Sequence, residues 1–199
     1  MNVAIARYGA GNVRSVELAV QRLGATVTAD LETADLAILP GVGSARSCMD
    51  GLGSSADVLR ERHAAGRPIL GICLGLQLAL EESEEDGGVA GLGIVPGRAV
   101  RLRGERVPRI GWATVEPLAP PTAARSSGRA AAALPPSLPA TGDAYWFAHS
   151  YAADSPATVA TSEGHSAIVR HGSFTGVQFH PEKSGAAGAR FLAQCLSRV

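Results

Sequence analysis

The chain has 199 residues, which is enough for one α/β domain with its own apolar core. Its 18 basic and 18 acidic residues leave a formal net charge of +0, so no long-range field favours nucleic acid or an anionic membrane. The three cysteines form no Cys-x-x-Cys pair, which argues against a disulfide framework or a structural zinc site. Without a signal-peptide pattern or an apolar run of about 18 residues, a cytoplasmic location is the simplest expectation.

The first 66 residues alternate strand and helix patterns. Short apolar runs predict strands at 3–6, 25–28 and 36–39. Residues 8–12 predict a tight turn with Asn12 as helix N-cap, because Gly9 and Gly11 are only a fragment of a dinucleotide-binding fingerprint. Apolar residues at helical spacing then predict a helix that stops at Gly24, and a second helix is expected over 56–65. The alternation predicts an open, mostly parallel sheet with helices on both faces.

The predicted third strand runs into the glycine-rich segment Pro40-Gly41-Val42-Gly43. Ligands bind at the carboxyl ends of strands in open α/β sheets, and backbone N–H groups in such a segment can turn toward an anion. An ordinary strand-to-helix loop is an equal alternative.

The sequence pattern changes after the acidic run that ends at Asp86. Residues 87–93 read as loop, and strand-like content predicts an added antiparallel β region over 94–102, 107–115, 145–151, 157–161, 167–170 and 175–179. Residues 117–142 are rich in Pro, Ala, Ser and Gly and predict a surface insertion within a single domain spanning 1–199. Apolar residues near the end of the chain predict a closing helix.

Residues 68–82 contain the strongest sign of chemistry. A predicted strand over 69–72 passes through Gly71-Ile72-Cys73-Leu74-Gly75 into a predicted helix over 76–82, which is the nucleophile-elbow pattern with cysteine in place of serine. The start of a helix favours a thiolate at Cys73, and the N–H of Leu74 can hold an oxyanion. Gln77 lies one helical turn further along the same face. A buried structural cysteine is the alternative.

A second candidate group ends the predicted strand at 175–179. His180 and Glu182 are two residues apart on an extended segment, so their side chains point the same way, and Glu182 can fix the imidazole tautomer. Together with Cys73 they form the nucleophile, base and orienting acid of acyl transfer. A lone histidine near a strand end is more often structural.

With both motifs present, the sequence resembles the triad-type glutamine amidotransferases, and among them the glutaminase subunits of imidazole glycerol phosphate synthase. The resemblance covers nearly the whole chain except 117–142. Departures are Arg109 and Ile110 where His-Met is usual, Ala113 in place of Asn, and Trp146 in place of Tyr. The matching motifs are Tyr8-Gly-x-Gly-Asn12, Leu39-Pro-Gly-Val-Gly43, Ser83-Glu-Glu85, Gly91-Leu-Gly93, Val107-Pro108 with Gly111-Trp112, His149-Ser-Tyr151 and Gln178-Phe-His-Pro-Glu-Lys-Ser184.

The resemblance implies a glutaminase that needs no metal or cofactor. It implies that an N–H from the Gly41–Gly43 loop joins Leu74 in the oxyanion site, and that the side chains holding glutamine are Gln77, Glu85, Ser150 and Tyr151. Glu85 could equally be a solvated charge, and Tyr151 a core aromatic residue.

The resemblance also implies a partner. This is a (β/α)8-barrel cyclase that receives the ammonia in a heterodimer and makes imidazole glycerol phosphate and aminoimidazole carboxamide ribotide. Lys183, Trp112 and Trp146 are the candidate interface residues, although a solvated lysine and core tryptophans are the alternatives. Rival functions are the glutaminase of pyridoxal phosphate or anthranilate synthesis, and a non-catalytic docking module.

Overall fold

The computed structural model describes residues 1–9, 12–104, 107–118 and 142–197. The elements of its first half are β1 (Asn2–Ile5), α1 (Val13–Arg22), β2 (Thr26–Thr28), β3 (Leu36–Leu39), α2 (Ala45–Leu52), α3 (Ser55–Ala64), β4 (Ile69–Ile72), α4 (Leu74–Ala79), β5 (Glu82–Ser83), a 3-10 turn (Glu85–Gly87), β6 (Val89–Ala90) and β7 (Arg98–Arg101). Those of the second half are β8 (Arg109–Thr114), β9 (Glu116–Pro117), β10 (Ala144–His149), β11 (Tyr151–Asp154), β12 (Thr158–Ser162), β13 (His165–His171), β14 (Phe174–Val177), a 3-10 turn (Pro181–Lys183) and α5 (Gly185–Leu196).

The main sheet of the described residues has eight strands in the order β2-β1-β3-β4-β14-β13-β12-β9. The first five strands pair in parallel and the last three antiparallel. Helices lie on both faces, so the predicted architecture is confirmed. Ile72 of β4 pairs with Val177 of β14, and the segments that leave these two strands therefore start side by side.

Each face of the main sheet has its own apolar cluster, as the twofold repeat of a strand requires. Leu36 and Ile38 of β3 join the cluster with α1 and α5, whereas Ala37 and Leu39 join the cluster with α2, α3 and α4. Every side chain of β3 is buried, which explains its uninterrupted apolar sequence.

The added β region forms two smaller sheets in the described residues: a ribbon of β8 and β10, and a four-stranded sheet in the order β11-β7-β5-β6. Within the ribbon, Trp112 lies directly opposite Trp146. Tyr145 and Phe147 of β10 point into the core, and Ile110 and Trp112 of β8 are exposed.

Arg62 of α3 anchors the connection between β2 and β3. Its guanidinium is 3% exposed and donates to five main-chain carbonyls. The acceptors and donor–acceptor distances are Pro68 (3.2 Å), Leu31 (2.9 Å), Glu32 (3.3 Å), Ala34 (2.7 Å) and Asp35 (2.9 Å). One side chain therefore draws the carbonyls of this connection together, while Arg67 also donates to those of Glu32 and Ala34 and Ala37 N to that of Pro68.

The predicted helix over 76–82 was wrong at both ends, because α4 begins at Leu74 and ends at Ala79. The N–H of Leu92 donates to Leu78 O, and those of Ile94 and Val95 donate to Ala79 O, so a distant loop takes the carbonyls that would continue the helix. This pairing was invisible in the local pattern.

Other boundaries also differ. Helix α2 was not predicted, and the strand expected at 94–102 is limited to β7. The expected loop at 87–93 includes β6, and the expected strand at 145–151 breaks at Ser150 into β10 and β11. The predicted insertion at 117–142 lies mostly outside the described residues, although Pro117 belongs to β9. No helix in the described ranges is long and apolar enough to span a membrane.

Candidate active site

Cys73 occupies the turn between β4 and α4 in a strained conformation, with φ 52° and ψ −107°. Close packing holds this turn. A Cβ atom on Gly75 would come within 1.8 Å of Leu39 O, and one on Gly41 would come within 2.4 Å of Gly75 N. The start of α4, the end of β3 and the loop after it are thus pressed together around the cysteine.

Three groups surround the Cys73 sulfur, which is nearly buried. His180 shares a hydrogen bond with it. The Nε2 atom of Gln178 donates to Sγ at 3.5 Å, and the carbonyl oxygen of Ala148 lies 3.8 Å away as an acceptor for the thiol. The sulfur therefore has a proton acceptor, an amide donor and a carbonyl around it.

Glu182 holds the other side of the His180 ring. The distance from His180 Nδ1 to Glu182 Oε1 is 2.9 Å, and the glutamate side chain is only 1% exposed. Asn12 Nδ2 donates to the same carboxylate oxygen at 3.4 Å. Asn12 is the N-cap residue of α1, as predicted, and its carbonyl accepts from Val16 N at 3.3 Å, but its side chain makes no capping bond.

Main-chain bonds fix the segment that carries His180. Its N–H donates to Trp146 O at 2.8 Å, and its carbonyl accepts from Ser184 Oγ at 2.6 Å. Ser184 Oγ in turn accepts from Trp146 N at 3.0 Å. Strand β10 therefore borders both the histidine and, through Ala148, the cysteine.

A cavity of about 270 Å³ opens in front of Cys73 and His180. Its size suits a small ligand. Of the residues singled out in the sequence, those lining it are Gly41, Val42, Gly43, Cys73, Leu74, Gln77, Glu85, Ser150, Tyr151, His180 and Lys183. Glu182 lies behind the imidazole, and Trp112 and Trp146 lie outside the cavity.

Two backbone segments, the start of α4 and the loop at 41–43, line this cavity. Leu74 is the first residue of α4, so its N–H has no partner within the helix. The loop at 41–43 faces the same cavity and touches Leu74, whose Cβ would lie 2.4 Å from a Cβ on Gly41. The arrangement can hold an oxyanion beside the sulfur.

Gln77 and Glu85 both line the cavity, and each makes hydrogen bonds within the protein. Gln77 Nε2 donates to Tyr151 O at 2.8 Å and to Gln178 Oε1 at 3.2 Å. Glu85 Oε2 accepts from Ala45 N at 2.8 Å, at the start of α2. Burial raises the pKa of the Glu85 carboxyl, while the bond from Ala45 lowers it.

His149 also lines the cavity, although the sequence indicated it only as part of the His149-Ser-Tyr151 motif. Burial, with the nearby charge of Arg109, lowers the pKa of His149 to about 4, against the opposing bond to Tyr151 O. Its Nδ1 donates to Tyr151 O at 2.9 Å. His149 is therefore neutral at pH 7, in contrast to His180.

The exposed Trp112 and the half-buried Trp146 form a patch beside the cavity. Their rings meet edge to face with centroids 5.9 Å apart. Trp112 is 56% exposed and Ile110 is 63% exposed, so the reading of Trp112 as a core residue is wrong. A groove of about 840 Å³ runs along the same strand and holds none of the three candidate catalytic residues. Among the described residues, no group of three or more His, Cys, Asp or Glu side chains could hold a metal ion.

The protonation of His180 makes the stability of the native state depend on pH. Burial lowers its pKa, but the bonds to Cys73 and Glu182 outweigh this and raise the pKa from 6.5 to about 9. The native state then keeps a proton that the unfolded chain releases above pH 6.5. The stabilisation from this ring is full below pH 6.5 and is lost as the pH rises through 9.

We expect an NMR titration of the His180 ring to show a midpoint near 9 in the wild-type protein. In Cys73→Ser the midpoint should be lower, because the hydroxyl does not ionise in this range. Cys48→Ser is the matched control and should leave it unchanged. A wild-type midpoint at the ordinary value of about 6.5 would contradict the arrangement.

A family model described as glutamine amidotransferase class-I matches residues 4–199. The chain is 37% identical to the imidazole glycerol phosphate synthase subunit HisH of Mycolicibacterium paratuberculosis over 100% of this chain and 98% of that protein. It is 40% identical to the HisH subunit of Symbiobacterium thermophilum over 96% of this chain and 91% of that protein.

The fold is also found among solved structures. A crystal structure of a glutamine amidotransferase superposes with a TM-score of 0.69, covering 97% of this chain and 98% of the other at 18% identity. At that identity the likeness concerns the fold alone, and it agrees with the architecture predicted from the sequence.

Proposed function

The chain belongs to the class-I glutamine amidotransferases and, among them, to the HisH subunits of imidazole glycerol phosphate synthase, and we propose that Cys73, His180 and Glu182 are its catalytic residues. It hydrolyses glutamine to glutamate and ammonia in histidine biosynthesis. The contact of Cys73 with a histidine that is bonded to a buried glutamate, at the wall of one small cavity, supports this assignment most strongly.

In the first step the Cys73 thiolate, beside the protonated His180, attacks the side-chain amide carbon of glutamine. The carbonyl oxygen takes the negative charge, and the N–H groups of Leu74 and the loop at 41–43 stabilise it. One such donor contributes on the order of 3 to 4 kcal/mol to lowering the barrier. Glu182 keeps Nδ1 of the ring protonated, so that Nε2 exchanges the proton.

In the second step the tetrahedral intermediate collapses. His180 gives its proton to the leaving nitrogen, the carbon–nitrogen bond breaks, and ammonia departs from a glutamyl thioester on Cys73. The neutral imidazole then takes a proton from water, the hydroxide attacks the thioester, and glutamate leaves as the sulfur regains its electron pair. The site returns to its starting protonation.

Glutamine is held by the side and main chains around the cavity. We assign the α-ammonium group to Glu85, whose carboxylate lies in the wall. Ser150 and Tyr151 follow β10, line the same cavity and supply further polar groups. The NH₂ group of Gln77 donates to two protein oxygens, Tyr151 O and Gln178 Oε1. Its carbonyl oxygen is therefore the end available to substrate.

A direct test is covalent trapping with an electrophilic glutamine analogue, followed by peptide mass spectrometry with and without the partner subunit. An adduct confined to the peptide with Cys73 is expected, and the buried Cys48 and Cys195 in the same sample serve as internal controls. Absence of any Cys73 adduct with the partner present would favour a docking module.

The partner that we propose is a (β/α)8-barrel cyclase bound as a heterodimer, which receives the ammonia through a channel and completes the lyase reaction of the synthase. Ammonia released into neutral water is mostly protonated and is then no longer a nucleophile, so the two sites must share an interior. Exposed Ile110 and Trp112, with Trp146 beside them, form an apolar patch suited to an interface core. Lys183 at the cavity mouth can pair with an acidic group of the cyclase.

We expect Trp112→Ala to weaken cyclase binding by about tenfold or more, because an exposed aromatic residue at an interface centre often dominates affinity. Titration calorimetry with the purified barrel subunit measures this. Arg22→Ala, on the exposed side of α1, is the remote control and should bind normally. If the wild-type protein, Trp112→Ala and Arg22→Ala bound the barrel subunit with equal affinity, this patch would be excluded as the interface.

A reducing, cytoplasmic location is part of the proposal. Cys48, Cys73 and Cys195 are free thiols, and the nucleophile acts as a thiolate that oxidation would disable.

A further inference from the structure

Gln178 has no role in the reaction as described so far, yet it touches the reacting atom. The residue follows β14, two positions before His180, and is fully buried. Its Nε2 atom lies 3.5 Å from Cys73 Sγ. A buried carboxamide at this place brings a hydrogen-bond donor to a sulfur that must carry negative charge.

The direction in which this amide points is fixed by its neighbours. Gln178 Oε1 accepts from Gln77 Nε2 at 3.2 Å, so the NH₂ end is left for the sulfur. Gln77 is itself oriented by Tyr151 O, which accepts from it at 2.8 Å and, as a carbonyl, can only accept. A backbone oxygen thus sets the polarity of two amides in series.

The other two neighbours of the sulfur differ from this donor in what they do during the reaction. The Ala148 carbonyl, at 3.8 Å, is an acceptor and stabilises only the neutral thiol. His180 donates to the thiolate while it holds the proton, but it gives that proton to the leaving nitrogen. The ring takes a proton from water again before the thiolate leaves, so Gln178 is, among the described groups around the sulfur, the donor whose hydrogen is never transferred.

We propose that Gln178 is a catalytic residue that donates a hydrogen bond from Nε2 to the Cys73 thiolate. The inference rests on the proposed role of Cys73 as the nucleophile. The bond stabilises the thiolate before attack, and again when the carbon–sulfur bond breaks and the electron pair returns to sulfur. No proton is transferred to or from the amide in either step.

The test is the pH profile of Cys73 alkylation by iodoacetamide in the isolated subunit, read by mass spectrometry of the peptide with Cys73. The variants are Gln178→Met, which removes the donor, and Gln178→Glu, which keeps the shape but offers an acceptor. Ser173→Ala is the matched control, because it replaces another buried polar side chain close to the far end of β14. Melting temperatures establish that each variant is folded.

We expect Gln178→Met to alkylate about tenfold more slowly at pH 7 and its profile to move upward by about one pH unit, as loss of one bond to a charged group predicts. Gln178→Glu should be slower still. Gln77→Met, which frees the Gln178 amide to rotate, should give an intermediate shift. Ser173→Ala should match the wild-type protein.

The proposal would be overturned if Gln178→Met had the same alkylation pH profile as the wild-type protein, or if only Gln178→Glu were alkylated more slowly. In either case the donor would be dispensable. If Gln178→Met unfolds, the Gln77→Met profile decides: an upward shift supports the orienting chain and no shift overturns it. Failure of the proposed function is distinguishable from failure of this proposal. It would appear as absence of glutamine hydrolysis in the presence of the partner, whereas the alkylation test requires neither glutamine nor partner.

Discussion

Replacing Cys73 by alanine is expected to lower glutamine hydrolysis by about 10⁵- to 10⁶-fold, because removing a nucleophile costs nearly the whole covalent pathway. Glutamate release in the presence of the barrel subunit measures the loss. Glutamine should still bind, since the groups assigned to the substrate remain in the cavity wall, and calorimetry tests that separately.

Cys195→Ala provides the matched control for this experiment. Cys195 is buried in α5, on the opposite face of the sheet from α4, and its thiol has a pKa raised to about 12 by burial. Its removal should leave glutamine hydrolysis within about twofold of wild type. Activity above one percent in Cys73→Ala would show that another group attacks the amide.

Arg62→Met is expected to lower the free energy of unfolding by about 3 to 5 kcal/mol, the largest stability change predicted for this chain. The substitution keeps an unbranched apolar stem but takes a charged donor from five main-chain carbonyls, three of which keep a second donor in Arg67 or Ala37 N. Burial lowers the pKa of Arg62 to about 10, so the wild-type side chain is charged at pH 7 and pairs fully with those oxygens.

Urea unfolding at pH 7 measures this change, with Arg22→Met as the control. Arg22 is an exposed arginine in the last turn of α1, and its loss should cost no more than about 0.5 kcal/mol. Equal unfolding midpoints for the two variants would mean that water replaces the guanidinium at the carbonyls of the β2–β3 connection.

The sequence alone predicted the local geometry where it depends on residues that are close together in the chain. The glycines around Cys73 predicted a strained turn, and the two-residue step from His180 to Glu182 predicted that both side chains point the same way. The parallel order of the central strands followed from alternating strand and helix patterns. The family comparisons then separated this chain from the glutaminases of other pathways, which the triad alone does not distinguish.

Features that depend on distant residues were not predictable in this way. Helix α2 has Ser47, Cys48, Asp50 and Gly51 among its eight residues, and its first N–H groups are satisfied by Glu85 and Asp86 from forty residues away. Asn12 was correctly predicted as a helix N-cap, but its contact with Glu182 was not predicted, because 170 residues separate the two. Gln178 carried a usable signal, since it shares the strand-end segment of His180 at the same two-residue spacing as Glu182, but its contact with Cys73 requires the register of β4 and β14.

The approach of Gly75 to Leu39 has a consequence for how this enzyme can change over generations. Only a hydrogen atom fits between them, so any larger residue at 75 must part the sheet from the helix that begins after the nucleophile. Random mutagenesis with selection for histidine-independent growth should therefore recover no substitution at this codon. Variation that tunes the enzyme must arise at the cavity rim and the partner-facing ribbon, where side chains end in open space.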